Sequence, residues 1–431
     1  MHLVIIGNGI TGVTAALTAR RLSAEARITL VSAESTHHYS RPALMYLYLG
    51  HVRYTDVKPY EDWFWAENRL TLVQAEATGV NTAARTVQFA TGQDLAYDCL
   101  LLATGSVVHR ADWPGQDLGG VQGFYGLPDL ERMARDTQGI GRAVVVGGGL
   151  IGVELAEMLH SRGIATTWLV RESRYWQSVL PPQESALVAA HVRRPGLDLR
   201  LNTELGEVLG DAQGRVRAVR TAAGEELPAG WVGLATGVVP NLALARAAGL
   251  ATDRGILVNE LLETSAPGVY AAGDCAQHRQ PAPGEVAVEQ PWYTGRMQGE
   301  TVAHTICGQP TPYRRGSWFN SAKFFELEYQ TYGRVPAQPG PDTASFCWQH
   351  PAGQHLLRIN FRPADQAVLG VNALGLRQRQ DVWEGWLAAQ TPVGTVVAHL
   401  AKANFDPEFA RRHERAIRQA FAEQFPAIPL G

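Results

Sequence analysis

The sequence predicts an α/β fold built around two separate βαβ units. Two observations carry that expectation: a Gly-x-Gly-x-x-Gly motif set between an apolar strand and a helix at Gly7, and a second copy of the whole arrangement at Gly147. A third is size. With 431 residues, 45% of them hydrophobic and 18% charged, the chain can bury the cores of two or three domains.

The first unit opens with the apolar run His2 to Ile6, breaks at Gly7-Asn8-Gly9-Ile10-Thr11-Gly12, and continues from Val13 to Leu22 with helical periodicity. A second strand follows at Arg27 to Val31. Gly7 allows the tight turn, Gly9 lets the backbone approach a pyrophosphate, and Gly12 lets helix and strand pack closely. The phosphates then rest on the exposed amides of the helix N-terminus, where the dipole favours negative charge. Glu34, just past the second strand, stands where a carboxylate accepts hydrogen bonds from a ribose diol. Alone, the motif would read as a glycine-rich turn. Strand, helix, strand and acid in that order point to a bound dinucleotide.

The second unit repeats the pattern. Arg142 to Val146 reads as strand, Gly147-Gly148-Gly149-Leu150-Ile151-Gly152 as the turn, Val153 to about Arg162 as helix, and Thr166 to Val170 as the next strand. Nothing in this copy looks decayed, so two dinucleotides are expected. At the end of its second strand stand Arg171, Glu172 and Arg174. A guanidinium there suits a 2′-phosphate and tilts the choice toward NADPH. Glu172, next door, could rotate into the acid's role instead, and the arginines could simply be solvated on a loop.

Bulk properties exclude other classes. A net charge of -3 gives no field that would gather nucleic acid or an anionic membrane. No apolar run reaches the roughly 18 residues of a membrane span, and the opening run is too short for a signal peptide, so a cytoplasmic protein is expected. Cys99, Cys275, Cys307 and Cys347 lie far apart, with no Cys-x-x-Cys or zinc spacing, and read as small buried hydrophobes without a metal.

Three further segments carry a resemblance. Leu100-Leu101-Leu102-Ala103-Thr104-Gly105, Leu234 to Asn241, and Thr264 to Cys275 stand with the two glycine motifs in the order seen in FAD- and NAD(P)-dependent pyridine nucleotide reductases. The chain resembles that superfamily, which includes glutathione reductase, the ferredoxin and rubredoxin reductases and the flavin part of nitrite reductase. The resemblance implies two Rossmann-like domains in a glutathione-reductase-like arrangement. A discontinuous FAD domain would span 1–112 and 238–310, with an NAD(P) domain at 113–237 and a C-terminal α+β domain at 311–431. Gly7, Gly9, Gly12, Glu34 and Ala77 would serve FAD from the first half, and Thr104, Gly105 and Gly237 from the two crossings between domains. Gly273 and Asp274 match the second FAD motif, in which the aspartate hydrogen-bonds the ribityl chain. Gly147, Gly149, Gly152 and Arg171 would hold NAD(P)H.

The segment Tyr39 to Gly50 resembles the Tyr-x-Arg-Pro-x-Leu-Ser-Lys stretch of the rubredoxin and ferredoxin reductase branch, placing Arg41 and Pro42 by the flavin and its phosphates. That branch pairs the lysine with the glutamate after the second glycine motif. Glu154 is present, but Tyr46 replaces the lysine and Met45 the serine. Tyr46 could lie at the flavin or be a packed aromatic, and Glu154 would face the nicotinamide. Glu289 precedes a helix expected from Tyr293 to about Ile306, whose N-terminus would point at the flavin pyrimidine. Trp318 to Phe325 could form an acceptor-docking surface, although a core strand is the commoner arrangement.

Disulfide reductases carry a cysteine pair early in the chain, and here no cysteine precedes Cys99. The expected reaction is therefore hydride transfer from the nicotinamide to the flavin, then electron delivery to an external acceptor, either a small iron–sulfur or rubredoxin-like protein or a small molecule. The alternative is a slow redox-sensing or partner-binding flavoprotein resembling apoptosis-inducing factor. At the C-terminal end, Asp406 as cap, Pro407 in the first turn, and Phe409, His413, Ile417, Phe421 and Phe425 at i+4 spacing predict a helix. Its packing would be onto the FAD domain or a second subunit, as in a homodimer.

Overall fold

The apolar runs that open each glycine motif become central strands of two parallel sheets. The computed structural model describes every residue except Pro407 and Ala410. Contacts divide the chain into two units, one of Met1–Ala111, Gln122–Gln138 and Thr236–Arg315, the other of Asp112–Val121, Gly139–Ala235 and Gly316–Gly431. Residues 122–138, which the sequence groups with the nicotinamide module, thus cluster with the first unit.

In the first unit the parallel sheet has the order Val269–Ala271, Cys99–Leu102, His2–Ile6, Arg27–Ser32, Leu70–Gln74. Ile5 pairs with Leu30 on one side and Leu101 on the other, and all three are buried, as a sheet covered on both faces requires. The helix Ile10–Leu22 packs closely on the helix Trp292–Ile306. A Cβ on Gly299 would lie 2.4 Å from the Thr11 carbonyl oxygen, so glycine is what permits that approach. The unit also holds a small antiparallel sheet, Ala77–Asn81, Thr86–Phe89 and Asp94–Ala96, and two two-stranded pairs, Ser106–Val108 with Val238–Pro240 and Ile256–Val258 with Ala276–His278.

The second unit holds a parallel run of Asp198–Arg200, Ala165–Leu169, Arg142–Val146 and Trp231–Leu234. It also holds a five-stranded antiparallel sheet ordered Phe319–Phe324, Leu327–Gly333, Val368–Leu374, Leu356–Phe361, Ala344–Gln349. Most of the segment Trp318 to Phe325 is accordingly a strand, Phe319–Phe324, with Phe324 buried in it and Phe325 buried in the turn that follows. Helices Gln380–Ala388, Val393–Ala398 and Glu414–Gln424 supply Trp383, Val396, Ile417 and Phe421 to a core shared with Phe346 and Phe361. Arg358 on this sheet pairs at 2.7 Å with Glu184 on the helix Pro182–Arg193, both almost fully buried.

The C-terminal helix starts later than the i+4 pattern suggests. Asp406 accepts only a turn-type bond from the Phe409 amide at 3.4 Å, Phe409 is 84% exposed, and the helix begins at Glu414; Pro407 lies outside the described residues. The reason is tertiary. His413 packs its ring 5.4 Å from Trp348 and 5.0 Å from His355, which fixes the chain just before the helix, and Asn404 donates to the Glu414 carboxylate. Among the described residues no helix is long and apolar enough to cross a membrane.

Candidate dinucleotide sites

The turn after the first strand has the geometry its glycines were expected to provide. Gly7 has φ +116°, and a Cβ there would lie 2.0 Å from the Ala103 carbonyl oxygen. A Cβ on Gly12 would meet the Gly7 carbonyl oxygen at 1.9 Å. Gly9 is different: at φ −68° it is unstrained, and nothing lies within 4 Å of its missing Cβ. Open space over the first amides of a helix is what a phosphate needs.

Beside this cradle a polar network gathers several of the expected residues. Glu34 accepts from Arg41 at 2.8 and 3.3 Å, from the Leu127 amide at 2.9 Å, and from the Tyr39 hydroxyl. Burial works to raise the Glu34 carboxyl, but Arg41 and the two other donors, Tyr39 and the Leu127 amide, hold it below its usual range. Arg41 opens the short turn Arg41–Ala43 that contains Pro42, and its guanidinium lies 4.5 Å from the Tyr125 ring centroid and 5.3 Å from that of Tyr39. It also donates to the Tyr125 carbonyl at 3.2 Å. Asp274 follows Gly273, which has φ +78° and donates its amide to Gln298 at 2.7 Å. The Asp274 Oδ2 accepts from Ser106 at 2.9 Å and Tyr125 at 3.4 Å. Burial nevertheless pushes this carboxyl up to about 6.

Other expected residues hold the backbone. Thr104 donates its hydroxyl to Asn241 at 2.9 Å, Asn241 donates its amide to Gly105, and Gly237 accepts from His109 at 3.0 Å, stitching together the two crossing segments. Glu289 is buried and accepts from Tyr313 at 2.7 Å, Arg315 at 3.2 Å and Gln298 at 3.3 Å, so Gln298 ties it to Gly273. Ala77 begins a strand opposite Phe89. Tyr46, half-buried on the helix Leu44–Leu49, stacks on His51 with centroids 6.2 Å apart.

The second cradle repeats the first. Gly147 has φ +118°, a Cβ on Gly152 would lie 2.2 Å from the Gly147 carbonyl oxygen, and Gly149 is open, with no atom within 4 Å. The Trp168 indole N–H donates to that same Gly147 oxygen at 2.8 Å, a brace the motif does not announce. On the helix Leu150–Ser161, burial and the neighbouring Glu157 push Glu154 up to about 7. Glu157 is itself paired with Lys323 at 3.1 Å. Arg171 is 74% exposed and bonded to Glu172 at 2.9 Å, while Nη1 of Arg174 is buried without a hydrogen-bond partner among the described residues.

No motif in the sequence marks Tyr125, Ser106 or Trp168. Tyr125 sits in Gly123-Phe-Tyr-Gly, which carries no motif, and only its contacts in space single it out. The four cysteines are free, and burial raises each thiol, that of Cys347 to about 11. Among the described residues no cluster of His, Cys, Asp and Glu could hold a metal ion.

Two open glycine cradles on parallel sheets define a class of protein that binds two dinucleotides, and comparison with known proteins agrees. Residues 1–291 match the pyridine nucleotide-disulphide oxidoreductase family, and the chain belongs to it. It is 29% identical over 72% of its length to the rubredoxin-NAD(+) reductase of Ectopseudomonas oleovorans, covering 81% of that protein. It is 34% identical over 72% of its length to the ferredoxin--NAD(+) reductase component of the biphenyl dioxygenase system of Paraburkholderia xenovorans, covering 76% of it. The fold is shared with the NAD-dependent persulfide reductase of A. fulgidus, at TM-score 0.85 and 24% identity over 99% of this chain and 84% of that one. The chain is thus an FAD-dependent pyridine nucleotide oxidoreductase.

Proposed function

We propose that this oxidoreductase takes electrons from reduced nicotinamide, with NADPH preferred, and passes them to a small iron–sulfur or rubredoxin-type protein without a cysteine relay. The observation that carries this reading is the pair of open glycines, Gly9 and Gly149, each over the start of a helix. When bound, FAD supplies the site that accepts hydride and releases electrons singly.

The chain's own residues do the holding. In the FAD module, assigned to 1–112 and 238–310, the helix amides after Gly9 and the Arg41 guanidinium meet the pyrophosphate, while Asp274 takes the polyol. Glu34 already accepts four bonds from protein donors, so its main work is to orient Arg41, with its Oε2 left for a ribose hydroxyl. In the nicotinamide module, 113–237, Glu154 faces the nicotinamide. The orphaned Nη1 of Arg174 supports a 2′-phosphate, whereas Arg171 is neutralised by Glu172.

Support for the acceptor comes from relatives named for rubredoxin and ferredoxin. Support for the absence of a thiol relay comes from four separate, buried-shifted cysteines. The region 311–431 serves as a packing or dimer-forming element. The test is anaerobic titration of the yellow protein with NADPH and NADH, followed by mixing with oxidised ferredoxin or rubredoxin. Bleaching by NADPH and rapid return of colour on adding acceptor is the expected result. Rapid bleaching by NADH alone overturns the cofactor preference, and colourless protein after FAD addition overturns the whole reading. Quick bleaching with no acceptor able to restore colour favours the slow sensor instead.

A further inference from the structure

Arg41 and Asp274 are far apart in sequence, and one side chain touches both. The Tyr125 ring carries the Arg41 guanidinium at 4.5 Å, and its carbonyl oxygen accepts from Arg41 at 3.2 Å. At the other end of the ring, the hydroxyl accepts from the Ser106 amide at 3.0 Å and donates to Asp274 Oδ2 at 3.4 Å. Ser106 Oγ accepts from Gln290 at 2.9 Å and donates to the same Oδ2. Both donor chains therefore converge on one carboxylate oxygen. No donor from another residue reaches Oδ1 among the described residues, which leaves it for a ligand hydroxyl.

We propose that Tyr125 is a positioning residue for FAD, holding a cation for the diphosphate with its ring and a carboxylate for the polyol with its hydroxyl. This rests on the FAD reading above. A diphosphate joined to a polyol is the ligand chemistry that needs an arginine and an oriented aspartate together. The titratable and charged groups facing Asp274 within its unit are Tyr125 and Arg41, with Cys275 adjacent in the chain. Because a polyol hydroxyl donates to the ionised form, FAD leaves as Asp274 is protonated. Losing the phenol donor raises the Asp274 carboxyl and moves that release toward higher pH.

The test compares wild type, Tyr125→Phe and Tyr125→Leu as full-length protein, stripped of FAD and titrated with FAD by flavin fluorescence. The thermal midpoint of the FAD-free protein and the pH of half-release are measured alongside. Tyr125→Phe keeps the ring but leaves the buried Ser106 amide without its acceptor, so its FAD-free midpoint falls modestly, while its FAD dissociation constant rises about 10-fold and its release midpoint moves up. Tyr125→Leu loses both ends and weakens FAD by about 100-fold or more. Wild-type affinity and release pH in Tyr125→Phe overturn this inference alone. So does weakening matched by a fall in the FAD-free midpoint with no change in release pH, since that is a purely structural role. A wild-type chain that binds no FAD overturns the functional reading as well.

Discussion

Gly9→Ala separates folding from cofactor binding in a way few substitutions can. Gly9 has φ −68° and ψ −177°, a conformation open to any residue, and its new methyl group meets no atom within 4 Å. The FAD-free protein should therefore be unharmed, and the reduced entropy of the unfolded chain should stabilise it by about 0.4–1 kcal/mol. The methyl occupies the space a phosphate must enter to bond the helix amides. Losing two charge-assisted bonds at about 1.5–3 kcal/mol each predicts FAD binding weaker by about 3–6 kcal/mol, or roughly 100-fold to 10⁴-fold. Gly149→Ala is the mirror experiment: the protein stays yellow, and the KM for NADPH rises by a similar factor. Gly12→Ala is the control, because its Cβ would lie 1.9 Å from a backbone oxygen and must damage the FAD-free fold too. The assays are flavin fluorescence quenching, thermal melting of the FAD-free protein, and steady-state kinetics. If Gly9→Ala retains FAD within about 3-fold of wild type, the phosphate does not sit where the open glycine places it.

Three other outcomes follow from the same structure. Arg358→Leu leaves the Glu184 carboxylate, which is 0% exposed, without its partner at 2.7 Å, and should lower stability by about 3–5 kcal/mol in urea denaturation; an unchanged midpoint would contradict it. Folding raises the Asp274 carboxyl from 3.8 to about 6, so the unfolded chain holds its proton less tightly, and the FAD-free protein should lose stability as pH rises through that window and level off above it. Asp274→Asn should flatten that profile, adding up to about 3 kcal/mol at pH 8 while weakening FAD; an Asn variant that falls with pH like wild type rules out Asp274 as the source. Replacing Cys99, Cys275, Cys307 and Cys347 together with alanine should leave the rate of anaerobic bleaching by NADPH unchanged, and a lost or biphasic reduction would show a thiol in the electron path.

What the sequence makes legible here is what acts over a few residues. The turn at Gly7, the packing of Gly12 on the Gly7 oxygen and the open face of Gly9 all lie within six residues of one another, so the motif contains its own explanation. The parallel register follows from apolar runs too continuous for a half-exposed strand. Contacts across long separations were not legible. Leu127 donates to Glu34 over 93 residues, and Tyr125 reaches Asp274 over 149. The start of the last helix was misplaced for the same reason, since Trp348 and His355 decide it from outside the local pattern.

The three acids assigned to the FAD module show why residue type alone could not rank them. Glu34 is held by a cation and two other donors, and its carboxyl is held down. Glu289 is buried against Arg315, Tyr313 and Gln298, so its bonds are spent within the protein. Among the described residues Asp274 has no direct ion pair; its two side-chain donors are neutral hydroxyls meeting at one oxygen, and burial raises its carboxyl. A carboxylate kept in that condition costs stability, and the cost is offset only by a ligand that donates to the remaining oxygen. Of the three, Asp274 is thus the one whose environment makes sense with a bound polyol and makes poor sense without it.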